Sequence, residues 1–382
     1  MPPKGRIPKA KLHVLAPEVP SGFKFSDHRK REFVFGKQFA TGGFGRIYTC
    51  TEVGREGDLC VKVEPAGNGP LFVELAVFQR ALKQELIEEY CKKKKWKTVG
   101  VPVMISAGLF DLKGEKLRYL IMPKYETSLE AIRMKSGGCL DPKSIFAVAK
   151  GMCRAYDYLH SKSYTHGDLK AANILLPSST DLFGAVLVDF GLARLASSNE
   201  EKADKKRAHN GTALFTSLDA HRGFQPSYRG DVEILVYNIV YWMSGSLPWI
   251  NDDVNPSAVQ TAKEQFRGDL EKTLKTVSGG FSHEIAQIYR LAENTAYTSN
   301  VDLEMVEELL VAAYEKCKKT LGKTTPSRTE SAAMYVKEDG KDKVRSKMRR
   351  AAAKSSEDKE DQGAAQPKQR KVQLSAAKTN DD

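Results

Sequence analysis

The feature that most constrains the fold is a change of hydrophobic period near Tyr125. Before it, Phe33, Phe35, Phe39, Ile47 and Tyr48 alternate around the glycine turn Thr41-Gly42-Gly43-Phe44-Gly45, the pattern of two strands joined by a tight connection. Leu59-Cys60-Val61-Lys62-Val63 reads as a short apolar strand, and 118–122 (RYLIM) as another. One helix interrupts them, predicted across 71–90 by Leu71, Val73, Leu75, Phe78, Leu82 and Leu86. After Tyr125 the spacing is helical, with segments predicted at 144–160, 231–244, 257–276, 281–294 and 302–316. Strands first and helices afterwards predict an α+β, bilobal fold rather than an alternating α/β sheet. A small β-rich N-lobe would span about 31–123 and a larger helical C-lobe about 124–318, hinged at 122–125.

The two ends differ from this middle. The formal charge of +12 is carried by residues 1–31, at about +6, and 316–382, at about +8, so the centre is slightly acidic. Residues 1–30 read as a basic, proline-containing arm packed only in places. Residues 319–382 are poor in large apolar side chains and are predicted to be disordered. Such arms are attracted to polyanions. No run of eighteen apolar residues and no apolar segment after the first charges is present, so neither secretion nor membrane spanning is expected. Six widely separated cysteines, without a CxxC pair, read as reduced thiols rather than a disulfide framework or zinc site.

Within the middle, five chemical features follow in order. Gly42, Gly43 and Gly45 let backbone amides approach an anion, although a glycine-rich hairpin has the same composition. Seventeen residues after Gly45, Lys62 ends the apolar run Leu59-Cys60-Val61; a lone Lys there is usually a solvated edge charge. Twelve residues further, Glu74 sits among Leu71, Val73 and Leu75, where an acid near a core face needs a partner, and Lys62 supplies one. The loop 166–173 (HGDLKAAN) then offers Asp168, Lys170 and Asn173. Sixteen residues after Asn173, Asp189-Phe190-Gly191 follows the apolar run 185–188. A carboxylate to accept a hydroxyl proton, a cation for a transferred phosphoryl group, and hard oxygens for magnesium are the parts of phosphoryl transfer.

In that order and spacing the set resembles the protein kinases. More narrowly, 67–80 (GNGPLFVELAVFQR), 209–221 (HNGTALFTSLDAH), 230–235 (GDVEIL) and 244–249 (SGSLPW) resemble the vaccinia-related kinases, near the casein kinase 1 group, over about residues 32–315. The resemblance implies a kinase domain at 31–318 that moves the γ-phosphoryl group of ATP, with Mg2+, to Ser or Thr. It implies Asp168 and Lys170 as catalytic and Asn173 and Asp189 as metal ligands. For the nucleotide it implies Ala40, Thr41, Gly42, Gly43, Phe44, Gly45, Ile47, Cys60, Lys62, Glu74, Met122, Pro123, Lys124 and Tyr125. Thr212 resembles the Thr that contacts the catalytic Asp and Lys. Asp231 reads as a helix N-cap, as the acid that ties the catalytic loop, or both. His166 reads as a packed structural histidine.

Two positions depart from the general kinase pattern. Gly167 stands where many kinases carry an Arg that pairs with an activation-loop phosphate, so activity without loop phosphorylation is expected. Ala40 replaces the first loop glycine, which leaves open a kinase-like scaffold that binds nucleotide or chromatin without turnover. Lys92 to Lys95 with Trp96 reads as a solvated face, or, by the resemblance, as an extra helix bracing the Glu74 helix. The resemblance also implies a nuclear protein acting on chromatin proteins such as histone tails and barrier-to-autointegration factor. The basic runs of the tail fit a split nuclear-localisation signal, and the arms fit non-specific DNA contact. A monomer without a membrane anchor is expected.

Overall fold

A computed structural model describes residues 14–42, 45–252 and 255–321. Gly43 and Phe44, residues 1–13 and the tail beyond 321 lie outside the described residues.

Six strands form the N-terminal sheet: β1 (Lys24–Ser26), β2 (Glu32–Thr41), β3 (Arg46–Glu52), β4 (Leu59–Pro65), β5 (Ser106–Leu112) and β6 (Glu115–Pro123). Their order is β1-β2-β3-β4-β6-β5, with every pair antiparallel. The side-chain period of two divides β4 between two cores. Val61 and Val63 enter an aromatic cluster with Phe33, Phe35, Tyr48, Phe110 and Tyr119, whereas Cys60 faces the core shared with the helices.

The folded unit starts earlier than the expected boundary at 31. Phe25 of β1 is buried against Phe33, Phe35, Phe110 and Tyr119, at ring separations of 4.8 to 5.7 Å. Ala16 and Val19 are buried too, and the Tyr48 hydroxyl accepts from the Val19 N–H at 3.0 Å. One buried Phe and a few backbone bonds hold this segment, too sparse a pattern to show as periodicity.

The single helix expected at 71–90 is two, α1 (Pro70–Arg80) and α2 (Gln84–Lys94). The break has a hydrogen-bonding cause: Tyr158 Oη donates to the Ala81 carbonyl, and Met104 N–H donates to that of Leu82 at 3.2 Å. Both carbonyls meet donors from other elements where the chain leaves α1, in place of the N–H groups one turn further on. α2 then packs on the large lobe, where Tyr90 and Lys94 both reach Asp157, at 3.0 and 2.8 Å. Lys92, Lys93 and Lys95 are exposed, so the run is part brace and part solvated face.

The C-terminal lobe follows the hinge with β7 (Thr127–Ser128), α3 (Leu129–Lys135), α4 (Pro142–Ser161), β8 (Tyr164–Thr165), β9 (Ile174–Leu176), β10 (Val186–Leu187), β11 (Arg194–Leu195), α5 (Leu218–His221), α6 (Tyr228–Ser244), α7 (Pro256–Gly268), α8 (Leu270–Val277), α9 (Ser282–Glu293) and α10 (Leu303–Leu321). α4 and α6 are buried along most of their length and form the scaffold for the short strands. No helix of the described residues is long and apolar enough to cross a membrane.

Replacing Phe25 with Ala removes a buried ring and should cost about 3–5 kcal/mol. A thermal midpoint equal to that of the unaltered protein would show that β1 is dispensable.

Candidate active site

β4 and α1 form the upper wall. Cys60, Lys62 and Glu64 share the face of β4 opposite Val61 and Val63. Lys62 Nζ lies 2.7 Å from Glu74 Oε2 on α1 and 3.8 Å from Asp189 Oδ1. Burial alone would push the Lys62 ammonium down, but Glu74 and Asp189 reverse this and hold its pKa above the ordinary lysine value. Burial would likewise raise Asp189, yet Lys62 and His166 bring its carboxyl below the ordinary range. Asp189 is thus an anion aimed at an ammonium, its backbone in the left-handed region at φ +69°.

An aromatic column links the walls. Phe78, one turn beyond Glu74, meets Phe190 edge-on at 5.6 Å, and Phe190 meets His166 at 5.3 Å. The Glu74 helix therefore cannot swing out without unpacking the ring beside Asp189.

The lower wall is the loop 166–173. Asp231, buried on α6, accepts from the N–H groups of His166 and Gly167 at 3.0 and 2.8 Å and bonds His160 Nε2 at 2.9 Å. Asp231 is not the N-cap of α6; Ser227 is, accepting from Gly230 N–H at 3.0 Å. His166 Nδ1 accepts from Asp168 N–H at 3.2 Å while Nε2 lies 3.2 Å from the Val188 carbonyl. Both ring nitrogens are engaged, and the only consistent neutral tautomer has the proton on Nε2, so His166 is structural.

Around Asp168 the partners converge. Lys170 Nζ is 2.8 Å from Oδ2, Thr212 Oγ1 donates to Oδ1 at 2.7 Å, and Lys170 also donates to Thr212 Oγ1 at 3.0 Å. Asn173 Nδ2 donates to the Asp168 carbonyl at 2.9 Å and to Oδ2 at 3.2 Å. These two bonds orient the Asn173 amide.

The protein kinase domain model matches residues 33–278. The chain is 47% identical to the serine/threonine-protein kinase VRK1 of Caenorhabditis elegans over 97% of its own length and 61% of that protein. It is 40% identical to nucleosomal histone kinase 1 of Drosophila melanogaster over 70% of this chain and 45% of that one. The chain belongs to the vaccinia-related kinases. A solved structure of vaccinia related kinase 3 shares the fold, with a TM-score of 0.69, at 22% identity over 79% of this chain and 93% of that one. The chain spans about three fifths or less of the length of these two curated relatives.

The kinase cleft brings Lys62, Glu74, Asp168, Lys170, Asn173 and Asp189 together. Its donor set fits magnesium: Asp189 and Asn173 supply hard oxygens, and the described residues hold no cluster of three or more His, Cys, Asp or Glu. Mg2+ is suited to such a partial set because it keeps water and phosphate oxygens as its other ligands.

At the nucleotide end, Gly42 N–H donates to Gly45 C=O at 2.8 Å and closes the turn. A side chain at Gly45 would meet the Val63 carbonyl at 2.5 Å, so this glycine is required by close approach. Ala40 sits in the β2–β3 ladder opposite Ile47 and keeps a negative φ, so its methyl group causes no strain. Cys60 pairs in register with Met122, and its Sγ lies 3.7 Å from the Pro123 carbonyl. Burial raises the Cys60 thiol to about 12, which makes it inert. In the hinge, Lys124 N–H is spent on Asp58 C=O at 2.9 Å, so its backbone donor serves the sheet.

Two participants carried no recognised sequence signal. Phe78 is legible only as the i+4 neighbour of Glu74. Glu64 accepts from Leu71 N–H at 3.1 Å, capping α1 from the sheet where Gly69 has no side chain to do so.

Replacing Asp231 with Ala leaves His166 N–H, Gly167 N–H and His160 without a partner in a buried place. At about 1–3 kcal/mol per unsatisfied group, the expected loss is about 3 kcal/mol or more. An unchanged denaturation midpoint would remove the clamp from the account.

Proposed function

We propose that this chain transfers the γ-phosphoryl group of ATP to Ser or Thr hydroxyls of proteins. The observation that carries the reading is the Asp168 carboxylate, held by Lys170, Thr212 and Asn173 across the cleft from an assembled Lys62–Glu74–Asp189 set.

Asp168 orients the acceptor hydroxyl and takes its proton, while Lys170 offsets charge on the phosphoryl group in transfer. Lys62 holds nucleotide phosphates, and Gly42 and Gly45 permit their close approach. Asn173 and Asp189 would hold Mg2+, which when bound neutralises phosphate charge. Cys60, Met122, Pro123 and the backbone from Lys124 to Tyr125 take the adenine end, and Ala40, Thr41 and Ile47 belong to the glycine loop over the nucleotide. The scaffold reading rested on Ala40, whose strand geometry gives it no support.

For substrates, we read chromatin proteins, including histone tails and barrier-to-autointegration factor, in a nuclear setting. A Drosophila relative named as a nucleosomal histone kinase and the basic ends of the chain support this. The basic arms fit non-specific DNA contact through phosphates, with steep salt dependence.

Labelled γ-phosphate from Mg-ATP should enter histone H3 or barrier-to-autointegration factor with the wild-type chain and not with Asp168→Asn. Bound nucleotide with neither protein labelled would overturn the reading.

A further inference from the structure

Between Asn210 and His221 the chain runs from Thr212, which touches Asp168, to α5. In many kinases this stretch is ordered by a phosphate paired with the Arg that Gly167 replaces. Gly167 is at φ +76°, and a Cβ there would meet Pro226 at 3.1 Å, so the position has no room for that Arg without strain.

The segment is held from beneath instead. Lys263 of α7 is completely buried, and its Nζ donates to the carbonyls of Ala213 at 2.9 Å and Thr216 at 2.6 Å. Its third neighbour is His221 Nε2, at 3.1 Å. Burial pushes the Lys263 ammonium down and Glu233 opposes that shift; in its charged form its three hydrogens meet these three acceptors. Its Nζ lies over the rings of Tyr237 and Trp249, 5.0 and 5.4 Å from their centroids. Trp249 Nε1 donates to the Leu214 carbonyl at 2.8 Å. Glu233 accepts from Leu218 N–H at 3.0 Å and from Tyr237 Oη at 2.6 Å. Four backbone groups of the stretch, at Ala213, Leu214, Thr216 and Leu218, thus bond to buried side chains of the large lobe.

The histidines fix the proton arrangement. With Lys263 donating, His221 accepts at Nε2, carries its proton on Nδ1 and gives it to His209 Nδ1 at 2.9 Å. Burial, with Lys263 and His209, pushes His221 down to about 3, so it stays neutral in that role. A buried ammonium is costly unless fully hydrogen-bonded, and here two of its three acceptors are backbone carbonyls of the 212–221 segment.

We propose that Lys263 is a positioning residue that holds the 212–221 segment ordered from inside the core, replacing the external order that loop phosphorylation supplies elsewhere. The link from Lys263 to chemistry is short: Ala213 and Thr216 flank the turn in which Phe215 and Thr216 N–H both bond Thr212 C=O at 2.8 Å, and Thr212 Oγ1 bonds Asp168. This inference rests on the kinase reading for its effect on rate, but not for its effect on order.

The test compares the full wild-type chain with Lys263→Met, Lys263→Arg and Asp168→Asn. Lys263→Met keeps the apolar stem and loses the donors. The expected result is a fall of about tenfold or more in kcat/KM for histone H3, a barrier change of about 1.4 kcal/mol, with the Mg-ATP dissociation constant within about twofold of wild type. Amide exchange at Phe215 and Thr216 should quicken in Lys263→Met and recover in part in Lys263→Arg. Wild-type kcat/KM with unchanged exchange in Lys263→Met overturns the proposal. If wild type and Asp168→Asn are equally inactive, the kinase reading fails, and the exchange comparison alone decides on Lys263. Should Lys263→Met not fold, exchange in the unphosphorylated wild type decides: rates at Phe215 and Thr216 as slow as in α6 support the hold, and the rates of an exposed loop overturn it.

Discussion

The rest of the cleft depends on the carboxylate of Asp231. It sits at the start of a buried helix and accepts two successive backbone N–H groups, which fixes the turn that presents Asp168. That turn also sets His166, whose ring supports Phe190, and Phe190 in turn bears on Phe78 of the helix carrying Glu74. A buried acid far from any phosphate therefore positions the lysine pair of the upper wall through packed rings. The cost of burying it is offset because each oxygen has a donor.

Charge in the cleft is arranged in two matched sets. Above, Lys62 is held between Glu74 and Asp189; below, Lys170 lies between Asp168 and Thr212. A polyphosphate and a hard cation would add to these sets without needing a new fold of the chain. Gly167 fits the same scheme: its left-handed backbone turns the loop so that both its own N–H and that of His166 face Asp231.

Much of this was legible in the sequence because the chemistry uses local spacing. Lys62, Glu74, Asp168, Asn173 and Asp189 each lie in a short motif, and the switch from strand to helix period near Tyr125 pointed to a hinge at 122–125. What escaped was set by contacts distant in sequence. The break between α1 and α2 comes from Tyr158 and Met104, and the inclusion of β1 in the sheet from a ring stacked on residues up to about ninety positions away. Ser227 took the N-cap expected of Asp231 because a hydroxyl one turn earlier fits the N2–N3 donors, leaving the acid free to face the loop. Lys263 reads as an ordinary helix-surface charge until α7 is placed beneath the 212–221 segment.

If internal contacts alone order the cleft, it is assembled before any phosphate is added to the chain. The most direct measurement is the time course of γ-phosphate transfer to histone H3 by chain purified after phosphatase treatment. The account predicts a linear course from the first turnover, at a rate within about tenfold of untreated protein. A lag that disappears on prior incubation with Mg-ATP, or a larger loss of rate, would contradict it.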